Sequence, residues 1–326
     1  MADFISKLAP LFKEFIKFRT ACKCWNRHYE LMLCSFDRYC MQHFPNHDSL
    51  TQSMVNGWCA QRSSESPQST NSRNETIVAL ISYLRAHQLT EVDSPTRLAY
   101  KQHLRLPHPL TDDMLRRFFH ECDRLYSDCS LIRGCVKKFA LAAQLTCPVL
   151  FRFLYSTGMR PGATLKLKRT NVDLKTGVVE IQEDKGMNQY RIVLHDSTLK
   201  IMRAYDKQVE LRLQSGREYF FYSAKGNHLS TPWLNSYFRR LWDKANPENH
   251  EVVPMDFRHN YATANINAWI GNYDALTNMT YLSKSMGHSC MQVTLDHYYD
   301  LSPQLARLIE KKCGAAFDVI VPEVQP

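Results

Sequence analysis

The chain predicts a mainly α-helical fold of two domains, with a small β-sheet confined to the second. Three observations carry this expectation. The length is 326 residues, which at ~150 residues per domain suits two domains. Apolar residues recur at helical spacing along most of the chain, and only one pair of short runs alternates around a turn. Between the halves lies an extended stretch rich in proline and basic residues. A composition 44% hydrophobic and 22% charged excludes collagen-like, coiled-coil and wholly disordered chains.

In chain order, residues 1–20 mix Lys and Glu into an apolar run at helical spacing, an amphipathic helix without the uncharged core of a secretion signal. Residues 1–62 read as helices. QRSSESPQSTNSRNE (61–75) reads as a polar loop giving way to a helix capped by Ser72 or Asn74. Residues 92–109 read as a linker, with Pro95, Pro107 and Pro109 among Arg97, Lys101 and Arg105. The first domain is therefore 1–105 and the second 110–326, opening on a helix (110–125) with Thr111 as N-cap and Asp112 and Asp113 in its first turn. VVEIQED (178–184) and QYRIVLH (189–195) form a strand pair around KGMN, with Lys185 at the tip. Helices follow at 230–245, capped by Ser230 with Pro232 in its first turn, and at 256–271, stopped by Gly271. The tail, 303–326, holds an amphipathic helix and a short apolar run.

Lys plus Arg number 41 against 32 acidic residues, a formal charge of +9. Both halves are basic, which favours a polyanionic partner. The apolar stretches fall short of the ~20 residues of a membrane span, so no membrane is expected. Eleven cysteines, an odd number without C-x-x-C spacing, read as reduced thiols in a cytoplasmic protein; Cys22-x-Cys24 is a weak exception as a metal pair.

Three segments carry chemistry: YSTGMRPGATLKLKRTNVDL (155–174), VVPMDFRHNYATANI (252–266) and MGHSCMQVTLDHYYDL (286–301). In these the chain resembles the tyrosine recombinases, the phage-type integrases. That family has a T-G-x-R turn, an H-x-x-R-H helix start, and a G-H segment followed about ten residues on by a tyrosine nucleophile; here these positions hold Arg160, Arg258, His288 and Tyr298. The family also carries a lysine on a hairpin between the first two boxes, where Lys185 falls. The resemblance covers roughly residues 110–305 and extends more loosely to the helical first half. It implies a helical DNA core-binding domain followed by a mixed α/β catalytic domain. It also implies a site-specific recombinase or integrase that cleaves and rejoins double-stranded DNA through a 3′-phosphotyrosine, as a tetramer with exchange of the C-terminal tail. No metal or cofactor is implied.

The residue types suit that chemistry. Attack on a phosphodiester spreads negative charge over non-bridging oxygens, and a planar guanidinium offers paired donors to them without losing its proton. A tyrosine gives a covalent intermediate that conserves bond energy, and a lysine can protonate the leaving 5′-oxygen. Each residue also has a plainer reading. Arg160 alone reads as a cap on the preceding helix, His288 as a loop histidine, Lys185 as a solvated hairpin tip and Tyr298 as an interface residue. Tyr299 adjoins Tyr298, and spacing from His288 favours Tyr298.

Two departures stand out. Met255 occupies the position where the family usually has a histidine, and a thioether neither transfers protons nor donates a hydrogen bond. His259 or His288 would then substitute, or the chain is a catalytically impaired DNA-binding or regulatory relative. Ala163 stands where many relatives carry an acidic residue. A third reading, a metal-dependent nuclease, would draw on Asp112, Asp113 and Asp123.

Overall fold

The computed structural model describes residues 3–100, 108–127, 137–182, 189–269, 274–288 and 290–298. The chain divides into two units, Met1–Leu104 and Arg105–Pro326, each with its own apolar core.

Among its described residues the first unit holds four helices: α1 (Ala9–Ala21), α2 (Arg27–His43), α3 (Gln52–Cys59) and α4 (Pro67–Ala86). Phe12 and Phe15 of α1, Leu33, Phe36 and Cys40 of α2, and Ile77, Leu80, Ile81 and Leu84 of α4 recur at three- and four-residue spacing and are buried together. Asn26, Thr51 and Ser66 cap α2, α3 and α4 by accepting from backbone N–H groups. The loop expected over 61–75 is largely helix: α4 starts at Pro67, capped by Ser66 and not by Ser72 or Asn74. Its polar residues bind the chain beside it. Asn74 Nδ2 donates to the Cys59 carbonyl (2.9 Å). Arg73 pairs with Glu65 (2.7 Å), donates to the Trp58 and Ala60 carbonyls, and lies 4.7 Å from the Trp58 ring centre. Polar composition concealed a helix because its hydrogen bonds are made to tertiary partners.

Residues 91–100 form neither helix nor strand, in keeping with an extended linker, yet they are tied to the first unit. The Asn71 amide bonds both the N–H and the carbonyl of Leu98 (2.9 and 2.8 Å), and Gln52 Oε1 accepts from Asp93 N (2.8 Å).

The second unit begins with α5 (Asp112–Ser127), α6 (Lys137–Thr157) and the short α7 (Pro161–Leu165). A three-stranded antiparallel meander follows: β1 (Val172–Asp173), β2 (Val178–Ile181) and β3 (Tyr190–Val193), with Val179 opposite Ile192. The expected KGMN turn and Lys185 lie outside the described residues. Then come α8 (Asp196–Arg212), α9 (Thr231–Ala245), α10 (Pro254–Trp269), α11 (Ala275–Ser285) and α12 (Met291–Tyr298). Helix α10 starts two residues before the expected 256, and Gly271 lies outside the described residues.

Helix α6 packs against α5, α8 and α10. Lys138–Thr157 is, by length and composition, apolar enough to cross a membrane, with mean hydropathy 1.3, which the reading of the apolar stretches above overlooked. Its Cys147, Leu150, Phe151, Phe153 and Leu154 are instead at most 1% exposed inside this core. Phe118 of α5 lies 5.3 Å from Phe151, Phe238 and Trp242 and 5.6 Å from Phe257, so one ring links α5, α6, α9 and α10.

Candidate active site

The chain leaves α6 through Gly158, whose φ of +61° lies in the left-handed region and whose absent Cβ leaves room for the Tyr261 ring. Two residues on, Arg160 stands before Pro161 with extended backbone, as a residue preceding proline should. Its carbonyl accepts from Thr164 N (3.0 Å) at the start of α7, and its side chain makes no cap. Nη1 points to the carbonyls of Met286 and Gly287, both at 3.4 Å.

Arg258 is placed by its neighbours on α10. Phe257 is fully buried in the aromatic cluster, and the buried Asp256 caps the helix start by accepting from Val253 N (2.9 Å). Arg258 is itself 3% exposed. Nη1 donates to the Gly158 carbonyl and Nη2 to the Met286 carbonyl, each at 2.8 Å.

His288 follows the end of α11. Gly287 takes φ +67°, and a Cβ there would collide with the Tyr190 ring of β3. The backbone N–H of His288 returns to the Ser283 carbonyl (3.0 Å), closing the turn. In the half-buried ring, Nε2 lies 2.8 Å from Arg258 Nη2, and Nδ1 lies 2.6 Å from Oγ1 of the fully buried Thr294 on α12.

Arg160 and Arg258 thus converge on the carbonyls of residues 286–287, and His288 joins them through Arg258. The two guanidinium groups share the Met286 carbonyl. Planar guanidinium groups match two phosphate oxygens.

Tyr298 is the last residue of α12, which begins three residues after His288. Tyr299, Lys185 and the tail 303–326 lie outside the described residues. Met255 sits one turn before Arg258 on α10, 38% exposed. Asp113 pairs with Arg117 (2.9 Å) and Asp123 with Arg152 (2.7 Å), so those carboxylates serve ion pairs. Among the described residues no group of three or more His, Cys, Asp or Glu could hold a metal ion. Thr294 and Tyr190 escaped the sequence reading. For Thr294 the available signal was its position one helical turn before Tyr298.

A helical unit followed by a helix-rich domain with a small meander, and an arginine pair gathered on the turn before a tyrosine-bearing helix, define an integrase-type fold. Residues 110–304, more than half of the chain, match the phage integrase family, and the chain belongs to that family. It is 28% identical over 150 residues to an integrase/recombinase of Sinorhizobium fredii, 44% of this chain and 48% of that one. It is 24% identical over 145 residues to a tyrosine recombinase of Agathobacter rectalis, 44% of each. The chain spans about half the length of the curated relatives it matches. Its fold resembles the XerH site-specific recombinase bound to palindromic difH substrate in a post-cleavage complex, with TM-score 0.57 and 18% identity over 93% of this chain and 83% of that one.

Proposed function

We propose that this chain is a site-specific DNA recombinase that cleaves and rejoins duplex DNA through a 3′-phosphotyrosine at Tyr298. The observation that supports this reading is the meeting of Arg160 and Arg258 with His288 on one turn. In this mechanism the Tyr298 hydroxyl releases its proton to solvent as its oxygen bonds to phosphorus and the P–O5′ bond breaks. Arg160 and Arg258 hold the non-bridging oxygens, and Lys185 supplies the proton taken up by the leaving 5′-oxygen. Rejoining runs the same steps in reverse, so no nucleotide cofactor is consumed. The helical first unit contributes further DNA contacts. Active protomers assemble as a tetramer with the tail 303–326 exchanged between neighbours, and the free thiols of the eight described cysteines fit a cytoplasmic setting.

A nicked or suicide DNA substrate tests this. The expected result is a covalent protein–DNA adduct on a denaturing gel, insensitive to EDTA and absent in Tyr298→Phe. Site-specific binding without any adduct would instead favour the impaired relative that Met255 suggests. An adduct that persists in Tyr298→Phe removes Tyr298 as nucleophile, and cleavage that needs magnesium and leaves no adduct removes the mechanism.

A further inference from the structure

The His288 ring is held at both nitrogens, and the chemistry of its two partners decides which nitrogen bears the proton. Arg258 Nη2, 2.8 Å from Nε2, has hydrogens to give and no lone pair to offer. Nε2 must therefore accept. A neutral imidazole has one N–H, so the proton resides on Nδ1, where Thr294 Oγ1 receives it at 2.6 Å. A hydroxyl can donate or accept, and here only acceptance is consistent with the arginine on the other side.

We propose that Arg258 sets His288 as the Nδ1–H tautomer and that Thr294 is a positioning residue, which accepts this proton and holds the ring with its Nε2 lone pair facing the arginine pair. Thr294 is fully buried, which leaves little freedom for its hydroxyl to move, and a partly buried Nδ1–H deprived of its acceptor would cost free energy. Tyr298 stands four residues further along the same helix. The docking of α12 and the hydrogen-bonding state of Arg258 are therefore joined through one imidazole. The structural claim stands on the two contacts of the ring; its bearing on catalysis rests on the recombinase reading above.

Nitrogen-15 spectra of histidine-labelled protein at about pH 8, where a free imidazole is neutral, separate the two tautomers directly. Wild type and Thr294→Ser should both show the His288 proton on a hydrogen-bonded Nδ1, and Thr294→Val should shift that Nδ1 resonance as the bond is lost. Adduct formation on suicide DNA should fall by about 10- to 100-fold in Thr294→Val, as for other residues that orient a site imidazole, and recover in Thr294→Ser. A wild-type ring protonated on Nε2 overturns the proposal, and so does a Thr294→Val protein with an unchanged spectrum and an unchanged adduct rate. Should Thr294→Val not fold, the wild-type and Thr294→Ser spectra still decide. If wild type forms no adduct at all, the recombinase reading fails while the spectra continue to judge the tautomer.

Discussion

Gly158 meets two demands at once: it turns the chain with φ +61°, and it lets the Tyr261 ring of α10 lie against the backbone. Its carbonyl also receives Arg258 Nη1. Gly158→Ala would place a Cβ inside the Tyr261 ring and impose a left-handed conformation costing on the order of 1–3 kcal/mol before the clash is counted. The expected outcome is a lowered melting temperature together with a loss of adduct formation larger than the stability change explains, because Arg258 loses its seat. Thermal unfolding and adduct yield, measured on the same preparation, check this; wild-type behaviour in both would show that the turn tolerates a side chain. Gly287 repeats the arrangement on the other side of the site, with Tyr190 filling the space a Cβ would take. Glycine at each position was visible in the sequence, but the rings packed on them come from more than 90 residues away.

At the scale of elements, α10 is held by Phe257 and aimed by its register. Successive helix residues point about 100° apart, so burying Phe257 in the aromatic cluster sets the direction of Arg258. Phe257→Ala should cost about 3–5 kcal/mol of stability by opening a cavity beside Phe118, Phe238 and Tyr155. Urea denaturation would show it as a lower midpoint, and a change near zero would mean that the cluster closes over the gap. In the first unit, the start of α4 depends on charge. The hydrogen bonds from Arg73, more than any other influence, hold the Glu65 carboxyl down to about 2. A carboxylate depressed in the folded state stabilises fully above its ordinary range, and that contribution is lost as pH falls through the folded value. Stability should therefore drop between about pH 5 and pH 2.5 more steeply in wild type than in Glu65→Gln. Denaturation midpoints at the two pH values measure the difference, and equal slopes would remove the pair from the account. The Ser- and Asn-rich start of α4 was hard to read because its favourable bonds go to residues 58–65, which a propensity window cannot see.

For the whole molecule, a charge of +9 spread over both halves has one direct consequence if duplex DNA is the partner. Each phosphate neutralised releases counterions, so affinity should fall about 10-fold or more between 50 and 200 mM salt. Fluorescence anisotropy with a labelled duplex measures this, and an affinity indifferent to salt would contradict a role for the basic excess. The ordered boxes around Arg160, Arg258 and His288 identified the family before any coordinates, because covalent spacing along a motif is preserved in one dimension. The helices opening near 110 and 230, the β2–β3 pair, and the Thr111 and Ser230 caps were likewise readable, since periodicity and capping are local, whereas β1 was not anticipated. Three things required the folded chain: that Met286 offers one carbonyl to two guanidinium groups, that Thr294 meets Nδ1 of His288, and that the apolar run Lys138–Thr157 lies in a core. Each depends on contacts between residues distant in sequence, and such contacts are settled by how side chains fill space together, which no local pattern encodes.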